Sequence, residues 1–476
     1  MITSSHSLSM KSVALRSSAL VGSKAVQDVL TSLLFILLAR TDPSGYGLIV
    51  LGLSVAMLLR SLQSLGLDQF TLRELSSSQI SQGQILRQMA KIKIVIACCM
   101  VLLFLAYALL QQWALQHVIV VSVLLIGQCF EGVADTFFNL LRAEGESINE
   151  SICRTGPNIV AATYGAGCLL FHLDIMFFAL LFLFGGAMKL GLAVYSARRL
   201  CFDSLLTGDV FVFGRSMLTA LVLISIISFM ATFYNEIQIF WLKRYYTFTD
   251  VAHYRVAQDV MSFVCAAVAH LVVGAVLFPL LTKTFSSGDR TRFCNLVRSY
   301  LKKIVIGGSG VAFFLGIFGG SIVLLIYGNQ YLIAKTLVPV LGLAALFSFI
   351  NNFIIYVLLA MRREYQVCFY LLFPVTLSFL LGPSLVAGAG PMGAACALLF
   401  SRAILTIVLI ISLQKHLQFF RLKDYKVATL GWIVGGVTFG LFLQLNYFLA
   451  GGLALLVFLL FVMIEQRGLI ENAEQL

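Results

Sequence analysis

Apolar runs of membrane-spanning length follow one another almost without interruption from residue 18 to residue 464, and they settle what this chain can fold into. A transmembrane helix needs about 20 predominantly apolar residues. Fourteen such stretches can be marked, with approximate cores at 18–39, 46–67, 94–113, 118–140, 155–172, 175–197, 216–240, 256–281, 304–327, 335–360, 366–387, 392–413, 428–445 and 447–464. A soluble core has no room for so much apolar surface. Hydrophobic residues fill 60% of the 476 positions and charged residues 11%, against about 45–50% and about 25% in ordinary soluble domains; the mean hydropathy is +0.97. The expected fold class is all-α, a polytopic membrane protein of about fourteen transmembrane helices. No polar stretch is long enough for a separate soluble domain. The polar, basic start (MITSSHSLSMKSVALRSS) enters the first apolar run without a small-residue cleavage site, so that run is expected to stay as a helix rather than leave as a signal peptide.

The formal charge of +12 reads as topology rather than as a nucleic-acid partner. With the N-terminus in the cytoplasm, 24 of the 33 Lys and Arg residues fall in cytoplasmic segments and five (Arg40, Lys243, Arg244, Arg255 and Lys335) on the opposite side. Lys24, Arg60, Lys189 and Arg402 lie within spans. Such a bias is the positive-inside pattern, and it places both termini in the cytoplasm. The polar, basic stretch 198–215 comes after six helices and is the natural seam. The expected organisation is an N-terminal six-helix lobe (1–197), a cytoplasmic linker (198–215), a second six-helix lobe (216–413), and two further helices with a cytoplasmic tail (414–476). The last two spans are joined by almost nothing at Asn446. Ten cysteines lie in apolar spans or cytoplasmic loops with neither a CxxC nor a metal-type Cys/His spacing, so neither a disulfide framework nor a metal site is expected.

Ionisable groups inside the hydrocarbon are costly unless they face protein or water, so their positions carry most of the functional information. In the fourth span Gln128, Glu131, Asp135, Asn139 and Arg142 are spaced 3, 4, 4 and 3, which places them on one helical stripe. The eighth carries Arg255, Asp259, Ser262 and His270 on one face. Lys24 and Asp28 in the first span stand four apart, the spacing of a pair. Arg60 sits well inside the second span, Lys189 in the sixth and Arg402 midway along the twelfth; Asn351, Asn352 and Tyr356 mark one side of the tenth, and Asn235 and Glu236 the end of the seventh. Two readings stand open. One is a hydrated, largely cationic cavity enclosed by these helices. The other is a set of local roles: snorkelling for Lys24 and Lys189, interfacial placement for Arg255 and Glu236, interhelical bonding for Asn351 and Asn352, a structural ion pair for Arg402, and packing for His270. Arg60 and the Glu131/Asp135 pair are the hardest to explain structurally.

Soluble-enzyme chemistry finds no foothold, since the chain has no GxxxxGK[ST], no HExxH and no GxSxG. The expectation is a non-enzyme that needs no cofactor, a gradient-driven carrier rather than an ATP-driven pump.

Several segments resemble a known family. LLARTDPSGYGLIVLGL (37–53) and SLGLDQFTLREL (64–75) are similar to the N-terminal signature of the oligosaccharide/polysaccharide flippases of the multidrug/oligosaccharidyl-lipid/polysaccharide (MOP) exporter superfamily. DVAHYRVAQDVM (250–261) resembles that family's entry to the eighth helix, YGNQYLIAKTLVPVLGLAALFSFINNFIIYVLLAMRRE (327–364) its ninth-to-tenth connection, and GAGPMGAACALLFSR (388–402) the start of the twelfth. Two departures are Pro391, in place of a small apolar residue, and Asn235-Glu236, where an Asp is common. The resemblance implies two six-helix lobes related by a pseudo-two-fold along the membrane normal, in a bacterial cytoplasmic (inner) membrane. The implied substrate is a polyprenyl-diphosphate-linked oligosaccharide, a cell-surface polysaccharide precursor, moved by alternating access. Polysaccharide polymerase and chain-length machinery are implied partners besides membrane lipids. By the same resemblance Arg60, with Lys24 and Arg255, would bind the diphosphate. Lys189, Arg402, Asn351 and Asn352 complete the candidate substrate set, and Asp28, Glu131, Asp135, Asp259 and Glu236 are candidates for cation coupling. The alternatives are a multidrug exporter of the same superfamily, which would favour an acidic or aromatic cavity, and a membrane polymerase or ligase, for which the longest external connection, about fifteen residues around 241–255, offers little room.

Overall fold

The computed structural model describes residues 10–64, 67–68, 71, 75, 82–206, 215–272, 277–417, 426–442 and 447–474. The link at Asn446 and residues 207–214 of the 198–215 stretch lie outside them. All regular structure among the described residues is helical. In chain order the helices are α1 (Met10–Thr41), α2 (Pro43–Ser64), α3 (Gln82–Leu110), α4 (Leu115–Ala143), α5 (Ser147–Leu170), α6 (Ile175–Leu206), α7 (Arg215–Tyr245), α8 (Phe248–Val272), α9 (Phe278–Ser286), α10 (Arg290–Tyr327), α11 (Leu332–Ala360), α12 (Glu364–Leu417), α13 (Lys426–Phe442) and α14 (Tyr447–Glu474). Eight are long and apolar enough to cross a membrane by length and composition. The apolar side chains they expose, such as Val95, Leu102, Leu110 and Leu380, would be untenable in water and suit lipid.

Within the stretch 256–281 the described residues are helical as far as Val272 (α8) and again in the short α9 from Phe278, with Pro279 in its first turn; residues 273–276 lie outside them. The expected spans at 366–387 and 392–413 are the two helical halves of α12, which meet at Gly390, where the backbone takes φ 55° and ψ −133°. Only glycine adopts such a conformation without strain. A methyl group on Gly393 would sit 1.9 Å from the Leu385 carbonyl oxygen, so the two halves meet backbone to backbone. The hydroxyl of Tyr246 donates to the Ala387 carbonyl at 3.2 Å, satisfying one acceptor at the end of the first half.

The first helical turn is set by chemistry legible in the TDPSG segment. Asp42 caps α2, its Oδ1 accepting from the Gly45 N–H at 2.9 Å, and Pro43 stands first in the helix.

The chain divides into two compact units, Met1–Thr232 and Phe233–Leu476, with the boundary inside α7. In the first unit a dry cluster of Ile85, Leu86 and Met89 from α3, Phe138, Leu140 and Leu141 from α4, and Ala193 and Ala197 from α6 packs those three helices together. Alongside it α4 and α6 touch through glycine: a methyl group at Gly186 would sit 2.3 Å from the Gly127 carbonyl oxygen, and one at Gly127 2.5 Å from that of Phe182. Lipid supplies no hydrophobic drive between helices, so close approach through small residues does that work. In the second unit α14 lies on α10, with Phe458 stacked on Phe313 at 5.3 Å and the Tyr447 hydroxyl donating to the Ile317 carbonyl.

Candidate functional site: a charged cavity in the first unit

The polar stripe of α4 faces inward, and every charged member of it finds an opposite charge. Arg60, on α2, reaches across with its guanidinium fork. Its Nη1 donates to Gln128 Oε1 and Glu131 Oε2, both at 2.9 Å, and its Nη2 to Asp135 Oδ2 at 2.7 Å. The spacing 128, 131, 135 stacks three acceptors on successive turns, which is what a planar fork needs. The other oxygen of each carboxylate is taken by a different cation. Lys189 of α6 donates to Glu131 Oε1, and Arg154 of α5 donates to Asp135 Oδ1 at 2.8 Å.

The network extends beyond the residues singled out from sequence. Glu150, with no exposed side-chain surface, accepts from Arg142 Nη2 at 2.6 Å and from Arg154 Nε at 2.9 Å. Arg154 also lies over the Phe138 ring, 4.2 Å from its centroid. Lys93 of α3 is fully buried, donating to Asp68 Oδ1 at 2.5 Å and to the Gly132 carbonyl at 2.8 Å. Asn139 donates to the same Asp68 Oδ1 at 3.3 Å and to its backbone oxygen at 3.2 Å. Lys93, Arg142 and Arg154, counted above among cytoplasmic-loop charges, are thus held in helices by buried or half-buried partners. Helices α3, α4 and α5 extend past their apolar cores and carry these groups with them.

Most of these side chains line a cavity of about 600 Å³; Gln128, Lys93 and Glu150 stand behind its wall. Its walls present the cations Lys24, Arg60, Arg142, Arg154 and Lys189 and the carboxylates Asp28, Asp68, Glu131 and Asp135, with Ser23, Gln27, Phe138 and Asn139 between them. The expectation of a largely cationic cavity needs correction: five cations stand against four carboxylates, and Arg60 and Arg154 are each paired with two of the carboxylates around them. The expected Lys24–Asp28 pair does not form either. Both residues are exposed on α1 and line the cavity, and neither makes an ion pair among the described residues.

The remaining candidates fall in the second unit. Arg255 donates from Nε to Asp259 Oδ1 at 2.8 Å, and its Nη1 lies 3.7 Å from Glu236 Oε2. Arg402 is 5% exposed and has only neutral acceptors: Asn235 Oδ1 at 2.8 Å, the Ala344 carbonyl at 3.3 Å and the Met261 sulfur at 3.7 Å. The structural ion pair considered for Arg402 is not made among the described residues. Asn351 ties α11 to α12, donating to the Arg402 carbonyl at 3.0 Å and accepting from Thr406 at 2.7 Å, whereas Asn352 is exposed.

A buried guanidinium without an adjacent carboxylate carries its desolvation cost largely uncompensated. Arg402→Met is therefore expected to leave the thermal midpoint of the detergent-purified protein near wild type or raise it. A large drop would show that the neutral acceptors alone make the site a stabilising one.

Apolar helices of spanning length define a multi-pass membrane protein, and one of its helical units holds a charged cavity. Its fold is shared with MOP superfamily transporters. Lipid II flippase MurJ, in an inward closed conformation, is similar with a TM-score of 0.69 over 96% of this chain and 100% of that one, at 14% identity. An inward-facing multidrug resistance MATE family transporter gives 0.63 over 82% and 96%, at 11% identity. A MOP superfamily transporter from Pyrococcus furiosus gives 0.61 over 86% and 96%, at 10% identity. The sequence matches no protein-family model and none of the curated proteins. At these identities the likeness is one of fold, and the proteins that share it are transporters and flippases rather than enzymes.

Proposed function

We propose that this protein is a flippase that moves a polyprenyl-diphosphate-linked oligosaccharide across the bacterial cytoplasmic membrane by alternating access between two helical lobes, with both termini in the cytoplasm. One observation carries the reading: five cationic side chains from α1, α2, α4, α5 and α6 converge on a single cavity large enough for a sugar-phosphate headgroup. Such a headgroup cannot enter hydrocarbon unaided, because each unsatisfied polar group there costs several kcal/mol. A polar, charge-lined passage removes that cost while the polyprenyl tail stays in lipid. The fold shared with a protein named as a lipid II flippase supports the same class of cargo. On this reading the polymerase and chain-length machinery act on the delivered glycan.

Within the cavity, Arg60 and Lys24 hold the diphosphate, Lys189 tunes the carboxylate beside it, and Arg255 serves the second unit. Glu131, Asp135, Asp28, Asp259 and Glu236 are the groups to which a coupling cation would bind. Arg60→Ala and Arg255→Ala, at unchanged membrane levels, are each expected to lower surface-glycan export in a strain that depends on this protein by about tenfold or more, the scale of a lost hydrogen bond to a charged group. Intact export in both variants would end the diphosphate assignment.

The four cavity carboxylates keep a second reading in play, an exporter of cationic drugs. A deletion strain hypersensitive to cationic dyes yet normal in surface glycan would decide for it.

A further inference from the structure

We infer that Glu131 and Asp135 are displaceable counter-anions: a phosphate-like dianion entering the cavity takes their place on Arg60, Lys189 and Arg154, and is bound together with protons. The inference rests on the reading of this cavity as an anion site and says how that site is regulated.

The geometry leaves an incoming anion little choice. Both terminal nitrogens of Arg60 are occupied, one by Gln128 and Glu131 and the other by Asp135. Each carboxylate bridges two cations through separate oxygens, Glu131 joining Arg60 to Lys189 and Asp135 joining Arg60 to Arg154. The two terminal nitrogens that form the Arg60 fork both face carboxylates, so an anion gains that fork only by displacing Glu131 or Asp135 from it. A displaced carboxylate that stayed ionised would face the newcomer across a few ångströms, and like charges that close disfavour joint ionisation. Taking up a proton from solvent removes the repulsion and closes the balance: one O–H bond forms on each displaced carboxylate, and the anion inherits its cations.

The other charged groups facing the cluster do not absorb this role. Asp68 is held by Lys93 of α3, and Glu150 of α5 by Arg142 and Arg154. On α1, Asp28 stands exposed and outside any ion pair among the described residues, so an anion on Arg60 displaces nothing from it. Lys24, likewise outside any such pair, is available to hold the second negative charge of the ligand. The empty cavity is near neutral, and the loaded one stays near neutral, because each negative charge that enters silences one already there.

The test uses the full-length protein in detergent and methanedisulfonate, a diphosphate-sized dianion that does not itself titrate near neutrality. Calorimetric titration in buffers of different ionisation enthalpy reads proton uptake directly. The expected result is net uptake on binding and an affinity that rises as pH falls, by up to about tenfold per pH unit for each proton taken up. Carrying both Glu131→Gln and Asp135→Asn, the protein is expected to bind the dianion without pH dependence, at the strength wild type reaches in acid. Binding by wild type without proton uptake, or a double variant that keeps the wild-type pH slope, would overturn the inference and leave the anion site standing. No binding by either protein at any pH would remove the anion site and this inference with it. The wild-type measurement needs no substitution, so a variant that fails to fold does not rescue the idea.

Discussion

Glu150→Ala is expected to destabilise the first unit by about 1.5–3 kcal/mol, the scale of lost hydrogen bonds to charged groups whose own side chains stay partly exposed. The carboxylate has no exposed surface and accepts from two arginines, three of its bonds coming from Arg142 alone. Removing it strands one of the two guanidiniums. Arg154 keeps Asp135 and the Phe138 ring, but Arg142 loses the one carboxylate it is paired with. Glu150→Gln retains the shape and one acceptor oxygen and is expected to cost roughly half as much, since hydrogen bonds to a charged group are about twice as strong as neutral ones. Thermal unfolding of the purified protein, followed by a thiol-reactive dye on its buried cysteines, ranks the two. An alanine variant melting with wild type would mean that the arginines are satisfied by water and that the network contributes nothing to the fold.

The second large effect comes from packing rather than charge. Gly186→Leu would place a Cβ 2.3 Å from the backbone oxygen of Gly127, an atom that cannot swing away as a side-chain tip can. Helices α4 and α6 must then separate, and overpacking of this kind costs about 3 kcal/mol or more. The damage reaches the cavity as well, because Lys189 lies one turn further along α6 and would be drawn off Glu131. Loss of folded protein on size exclusion and loss of glycan export are expected together. Gly191→Leu is the matched control: nothing lies within 4 Å of a methyl group built there, so wild-type yield is expected. Equal tolerance at both positions would show that the α4–α6 contact is looser than its backbone distances state.

Apolar run length made the helices legible in the sequence, because lipid leaves the backbone no alternative to helix. The stripe of α4 was legible for a related reason. Five polar groups at spacings of three and four must share a face, and Arg60 was the evident cation to meet them. The rest of the cavity was not. Lys93 and Arg154 lie near span ends, where a basic residue serves the positive-inside bias whether it points to water or folds back onto a carboxylate. Composition alone does not separate the two cases. Glu150 was hidden because it sits outside the apolar core of its helix, in a segment that reads as loop. The spacing of Lys24 and Asp28 suggested a pair, yet an i, i+4 pair on an exposed face is worth only about 0.5 kcal/mol, too little to fix two side chains that line a hydrated cavity. At Gly390 the two expected spans meet without a polar loop between them, because a single glycine can turn a chain that would otherwise need several polar residues to do so.

That one-residue reversal in α12 has a bearing on how chains of this kind can vary in length. Arg402 meets Asn235 only because a fixed number of residues separates it from Gly390, and each residue of an α-helix rotates the chain by about 100°. An added or deleted codon after the bend would swing the guanidinium toward lipid, and no slack remains at the turn to take up the phase error. Insertions and deletions among natural relatives should therefore be excluded from 390–402 and gather in the polar connections, so that a multiple alignment ought to run gap-free through this hairpin.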